Sequence, residues 1–268
     1  MNETLILAGV LGSAIGAVLG LTGAGGGVLA MPALIMGLGM SLPEAVPVSL
    51  AAVSLAAATG AVVGLRRGVV RYRAAGLMAL LGVLSAPVGL WLGHRLPQPM
   101  LTTVFCALML YIAVRMLRKP ARPADADGPH EARNCMLDPA TGRFRWNTRC
   151  SATLGLIGCT AGLFTGMLGV GGGFLIVPAF RQFSDLSMQA ASATSLAVIA
   201  LVAAITASGS LIHGGGIGTD GLAFIATTTL GLLLARRVGA RLSERTLQRL
   251  LGGVILTVAL AWLARQYL

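Results

Sequence analysis

Residues Gly20–Pro32 read GLTGAGGGVLAMP, and residues Gly166–Pro178 read GMLGVGGGFLIVP. Both follow the spacing Gly-x-x-Gly-x-Gly-Gly-Gly-x-Leu-x-x-Pro inside long apolar tracts. A glycine inside a helix costs about 1 kcal/mol relative to alanine, so a run of them marks backbone that is not helical. Its appearance twice marks a duplication.

A shift of 146 positions aligns the two halves of the chain without a gap over about a hundred residues. Gly9, Gly12, Gly16, Gly20 and Gly23 fall on Gly155, Gly158, Gly162, Gly166 and Gly169, and Gly25, Gly26 and Gly27 fall on Gly171, Gly172 and Gly173. Pro32 meets Pro178, Ser49-Leu50 meets Ser195-Leu196, and Gly68 meets Gly214. The organisation that follows is a first repeat over residues 1–117, a polar linker over 118–150 and a second repeat over 151–268.

Composition sets the class. Apolar residues make up 56% of the chain and charged residues 11%, with a mean hydropathy of +0.83, where a soluble domain carries about a quarter of its residues charged. Tracts such as Pro43 to Leu65, Ala74 to Gly93, Leu101 to Leu117, Asp220 to Ala235 and Leu247 to Ala264 approach the roughly 20 residues needed to cross a bilayer as a helix. They lack the alternation of a membrane β-barrel. An all-α integral membrane protein with two repeated halves is predicted, of multi-pass, bacterial inner-membrane type. MNETLILAGV brings no basic stretch before the first apolar segment, so no cleaved signal is expected.

The arginines predict orientation. The net charge of +11 concentrates in short loops between apolar tracts, which points to membrane topology rather than to nucleic-acid binding. The loop LRRGVVRYR holds Arg66, Arg67, Arg71 and Arg73, while its repeat partner LIHGGGIGTD holds no Arg or Lys. One loop later the bias swaps, from Arg95 alone to Arg236, Arg237, Arg241, Arg245 and Arg249. Equivalent loops therefore prefer opposite sides, the signature of an inverted repeat with an arginine-rich cytoplasmic face.

Gly9, Gly12, Gly16 and Gly20 lie three or four apart, so they share one helix face and admit a neighbouring backbone closely. The run Gly23 to Gly27 has no such periodicity and reads as unwound backbone. The segment after it, Val28 to Met40, would span only about 20 Å as a helix, a half-helix. Non-helical backbone at membrane depth survives only where it is buried in protein or lines a cavity, and transporters pair such segments to build a central site. The free N–H groups of a glycine loop that feeds a helix N-terminus suit an anion.

The candidate substrate-binding residues are therefore Gly23, Gly25, Gly26, Gly27 and Ser49 in the first half, with Gly169, Gly171, Gly172, Gly173 and Ser195 in the second. Ser49 and Ser195 are chosen among the apolar-tract hydroxyls because they are repeat-equivalent. Arg181, whose repeat partner is Ile35, is the one arginine near a half-helix; its head group can pair with an oxyanion or snorkel to the interface. No Asp, Glu or Lys lies deep in the main spans, so no carboxylate relay for proton coupling is evident.

Other readings fare worse. GAGGGV and GVGGGF lack the third glycine of a dinucleotide fingerprint and the Lys-Ser/Thr of a phosphate-binding loop, so no cofactor is expected. Cys106 and Cys159 sit singly in apolar tracts as packing residues. Cys135 and Cys150 bracket the linker without a CxxC pair or further ligands, a poor metal site. Between them, Asp138 to Gly142 signals a turn, and Arg143, Phe144, Arg145 and Trp146 alternate as a strand would. An intramembrane hydrolase built on Ser195 and His213 would need groups about 27 Å apart on one helix to meet.

The paired Gly-x-Gly-Gly-Gly-x-Leu-x-x-Pro motifs, the arginine-rich loops and the linker stretch LDPATGRFRW resemble the sulfite exporter TauE/SafE family. The resemblance covers nearly the whole chain. It implies a transporter, not an enzyme, that moves small sulfur-containing anions such as sulfite or organosulfonates across the inner membrane. Membrane lipid is the other expected partner, and the sequence leaves oligomeric state, direction and coupling ion open.

Overall fold

The computed structural model describes residues 2–23, 26–118, 135–136, 144, 146–212, 216–238 and 244–267. Among them are ten helices. The first half holds α1 (Asn2–Thr22), α2 (Gly26–Pro32) continued by a π-helical turn (Ala33–Gly37), α3 (Leu42–Arg66), α4 (Tyr72–Arg95) and α5 (Gln98–Arg118). The second holds α6 (Thr148–Leu168), α7 (Gly173–Phe183), α8 (Met188–Ile212), α9 (Thr219–Val238) and α10 (Glu244–Tyr267). The protein is an all-α membrane protein. Five helices are long and apolar enough to cross a bilayer, over Glu3–Thr22, Pro43–Arg66, Tyr72–Arg95, Thr148–Leu168 and Gln189–Ile212.

The 146-residue shift carries α1 onto α6 and α3 onto α8 residue for residue. The halves are not side by side. Each sends its first helix to the fourth helix of the other, so α1 packs on α9 and α6 packs on α4. The glycine face makes this possible: a Cβ on Gly12, Gly16 or Gly20 would strike the carbonyls of Phe224, Thr228 and Leu232 in turn. On Gly158, Gly162 or Gly166 it would strike those of Met78, Gly82 and Ala86, each partner again 146 residues away from its counterpart. Close backbone approach replaces the hydrophobic driving force that lipid removes. The rising numbers on both sides also make each of these pairs parallel.

At the centre α3 and α8 cross as antiparallel partners. Ser54 Oγ donates to the Ala200 carbonyl at 3.1 Å, while Gly60 lies against Leu196 and Gly64 against Ala193. Ser54 and Ala200 are repeat-equivalent and are the middle residues of their helices. On the periphery α5 meets α10, with the Phe105 and Trp262 rings edge to face at 5.3 Å. Glu44 caps the start of α3, accepting from the Ser41 N–H at 3.1 Å and the Ser41 hydroxyl at 2.8 Å.

The helix directions gather the charged loops. The Arg71 N–H donates to Thr194 Oγ1 near the start of α8, and the Arg236 guanidinium donates to the Gly60 carbonyl near the end of α3 at 2.6 Å. Arg66, Arg67, Arg71, Arg73, Arg236 and Arg237 thus occupy one end of the bundle, with the start of α6. The other end carries the helix starts with Glu3, Glu44 and Asp220, together with Arg95, whose guanidinium lies 4.8 Å from the Trp91 ring centroid.

Candidate functional site

Each glycine run begins where a helix is stopped. The Gly23 N–H closes the last turn of α1 on the Leu19 carbonyl at 2.8 Å, and the Gly169 N–H closes α6 on Thr165 at 2.9 Å. Both residues then turn left-handed, at φ 74° and 67°, a region open to glycine at little cost. The chain reverses. In the second half Gly171 and Gly172 hold φ 77° and 59°, and α7 starts at Gly173. Gly26 and Gly172 are packed too closely for a side chain, the first against Ile15 and Leu19 of α1, the second against Ala161 and Thr165 of α6. The half-helices can therefore lie back along the helices that precede them, and Gly37 reaches the level of Leu11.

Ser49 and Ser195, both fully buried, bind these turns across the repeat boundary. Ser49 Oγ donates to the Gly169 carbonyl at 2.9 Å, and Ser195 Oγ donates to the Gly23 carbonyl at 3.2 Å. The two bonds are images of one another under the 146-residue shift. Ser195 also leans on the Ser192 carbonyl of its own helix at 2.8 Å. Each serine of one half therefore fixes the peptide plane of the glycine turn in the other.

The turns meet beside the α3–α8 crossing. A Cβ on Gly27 would lie 2.8 Å from the Val170 carbonyl, and one on Gly171 would lie 2.7 Å from Val53 and 3.5 Å from Ile199, themselves a repeat pair. Val170, Gly171 and Gly172 are buried, and among the described residues their N–H groups form no hydrogen bond; the neighbouring N–H of Gly173 closes on Gly171 at 2.7 Å. Buried N–H groups are almost always paired, so three in succession without a partner among the described residues, at the start of α7, are donors of the kind that suit a negatively charged oxygen. No side chain caps α7 at this point.

Of the residues named from sequence, Gly23, Gly26, Gly27, Gly169, Gly171, Gly172, Gly173, Ser49 and Ser195 are brought into this one region. Gly25 and His213 lie outside the described residues, as does most of the turn and strand expected over residues 138–146, and the Arg181 side chain is not among those described. The Ser195 hydroxyl is engaged by two carbonyls. Sequence reading missed the Ser54 contact to Ala200, although their spacing of 146 was a signal. It read Arg71 and Arg236 only as topology and left Cys135 and Cys150 unpaired, whereas they form a disulfide.

The sequence profile of the family described as sulfite exporter TauE/SafE matches residues 6–262. The chain belongs to the TauE/SafE family. Two relatives from Xylella fastidiosa, strains 9a5c and Temecula1, each named a probable membrane transporter protein, are 31% identical to it. Each alignment covers 96% of this chain and 94% of the relative. No solved structure matches the chain. As a TauE/SafE protein with, among the described residues, five helices long and apolar enough to cross a membrane, it is a multi-pass membrane transporter and not an enzyme.

Proposed function

We propose that the protein is a secondary transporter that exports small sulfur-containing anions, such as sulfite or organosulfonates, bound between the halves at the two glycine turns. The observation that carries this reading is the run of buried N–H groups at Val170, Gly171 and Gly172, which form no hydrogen bond among the described residues. The N-terminal end of α7 adds the positive end of a helix dipole. In this reading Gly23 to Gly27 and Gly169 to Gly173 supply the walls of the site. Ser49 and Ser195 act by holding the turns, and no carboxylate deep in the spans opposes an anion.

The two halves, residues 1–117 and 151–268, are inverted in the membrane, with the linker 118–150 in the cytoplasm. Two features support this orientation: the antiparallel course of α3 and α8, and the gathering of arginines at one end of the bundle, as cytoplasmic loops require. Bacterial relatives are in keeping with an inner-membrane location.

The test is flux. Purified protein in liposomes loaded with radiolabelled sulfite should release it faster than empty liposomes, and unlabelled sulfite or a short organosulfonate should compete, while chloride should not. Release no faster than from liposomes lacking protein, under an imposed ion gradient of either direction, would sink the assignment of substrate class.

A further inference from the structure

Cys135 and Cys150 are joined by a disulfide, and both are fully buried. Cys150 lies in the first turn of α6. The Cys135 N–H donates to the Phe183 carbonyl at 3.0 Å, and Cys135 forms a parallel β-bridge with Ser184; these are the last residue of α7 and its C-cap. Phe144, between the cysteines, shares an apolar cluster with Ile176 and Phe180 of α7. One covalent bond therefore ties the start of α6 to a segment that grips the end of a half-helix. The opposite end of that half-helix is the glycine turn.

The first half has no equivalent disulfide: the residue equivalent to Cys150 is Thr4, and the end of the first half-helix, at Gly37, packs on the Leu11 side chain. The clasp thus breaks the symmetry of the molecule at one half-helix only. Under the orientation proposed above, on which this step rests, the clasp faces a reducing cytoplasm, where disulfides are uncommon and usually transient.

We infer that Cys135 and Cys150 form a reversible thiol–disulfide clasp that holds α7 when oxidised and frees it when reduced by a dithiol. A thiolate of the reductant attacks one cysteine sulfur, the S–S bond breaks, and the other cysteine leaves as a thiolate that takes up a proton. The second thiol of the reductant then displaces the first cysteine. Two electrons have passed, leaving two protein thiols and the disulfide of the reductant. Alternating access moves one repeat against the other around a fixed site, so a covalent hold on one half-helix slows the exchange.

The experiment uses the full-length chain with Cys106→Ala and Cys159→Ala, so that the pair supplies the only thiols. It is reconstituted after treatment with diamide or with dithiothreitol. Maleimide mass tagging should count no thiols in the first state and two in the second. Amide hydrogen exchange across residues 176–187 should quicken on reduction, and sulfite efflux should rise at least fivefold. The Cys135→Ser/Cys150→Ser protein should match the reduced state and ignore both reagents.

A pair that dithiothreitol cannot open in the folded protein, or exchange that is the same in both states, would overturn the clasp. So would a linker labelled from the oxidising compartment, which makes the bond structural. Faster exchange with unchanged sulfite flux removes its control of transport. Faster exchange with no sulfite flux in either state leaves the clasp standing and overturns the cargo instead.

Discussion

A left-handed glycine turns its carbonyl out of the helix it ends, and Gly23 and Gly169 each direct theirs to a serine of the opposite half. Removing a hydroxyl strands a buried carbonyl, at a cost of about 1–3 kcal/mol. Ser49→Ala should show the larger loss in thermal unfolding of detergent-solubilised protein, because the Ser195 hydroxyl is already shared with its own helix; a larger loss for Ser195→Ala would contradict the sharing. Gly172→Ala asks more of the backbone. Its φ is 59° and its Cβ would sit 2.7 Å from the Ala161 carbonyl, so a penalty of about 1 kcal/mol or more is expected. Sulfite efflux should fall several-fold while membrane insertion, read by detergent extraction and size-exclusion profile, persists. The glycine runs were visible in the sequence because consecutive glycines defy helical periodicity. The serine bonds were not, since their partners lie 120 and 172 residues away.

At the scale of helices, the small-residue faces of α1 and α6 decide how the halves engage. The three-and-four spacing of Gly9 to Gly20 announced a close neighbour, and the backbone of α9 is that neighbour. That the neighbour belongs to the other half could not be read locally, because a glycine stripe specifies closeness and not identity. The π-helical turn at Ala33–Gly37 was equally hidden: it follows Pro32, while Pro178 at the equivalent place is followed by ordinary helix. Gly162→Val offers a clean test of the interface. A side chain there collides with Gly82 and Ser85, and overpacking of this kind costs about 1–3 kcal/mol or more. Folded yield and melting temperature should drop sharply. Gly76→Val, where nothing lies within 4 Å, should leave both nearly unchanged; equal damage from the two would mean that valine itself, and not the contact, is at fault.

For the whole molecule, the crossing of α3 and α8 at Ser54 and Ala200 ties the proposed orientation to the proposed site. Equivalent helices α3 and α8 run antiparallel, as the proposed inverted arrangement requires. In that arrangement the loop after α3 emerges on one face and the loop after α8 on the other. The arginine count agrees: four arginines lie between Arg66 and Arg73, and none between Ile212 and Thr219. Single cysteines at Gly68→Cys and Gly216→Cys, both with nothing within 4 Å of an added Cβ, Gly68 at a left-handed φ of 69°, can report this in a background with the four native cysteines replaced by serine. In intact cells an impermeant maleimide should label Gly216→Cys and spare Gly68→Cys until the membrane is permeabilised. Labelling of both positions from one side would require α3 and α8 to enter the bilayer from the same face. Their antiparallel crossing forbids that, so this outcome would overturn the inverted arrangement together with the central, two-sided site built on it.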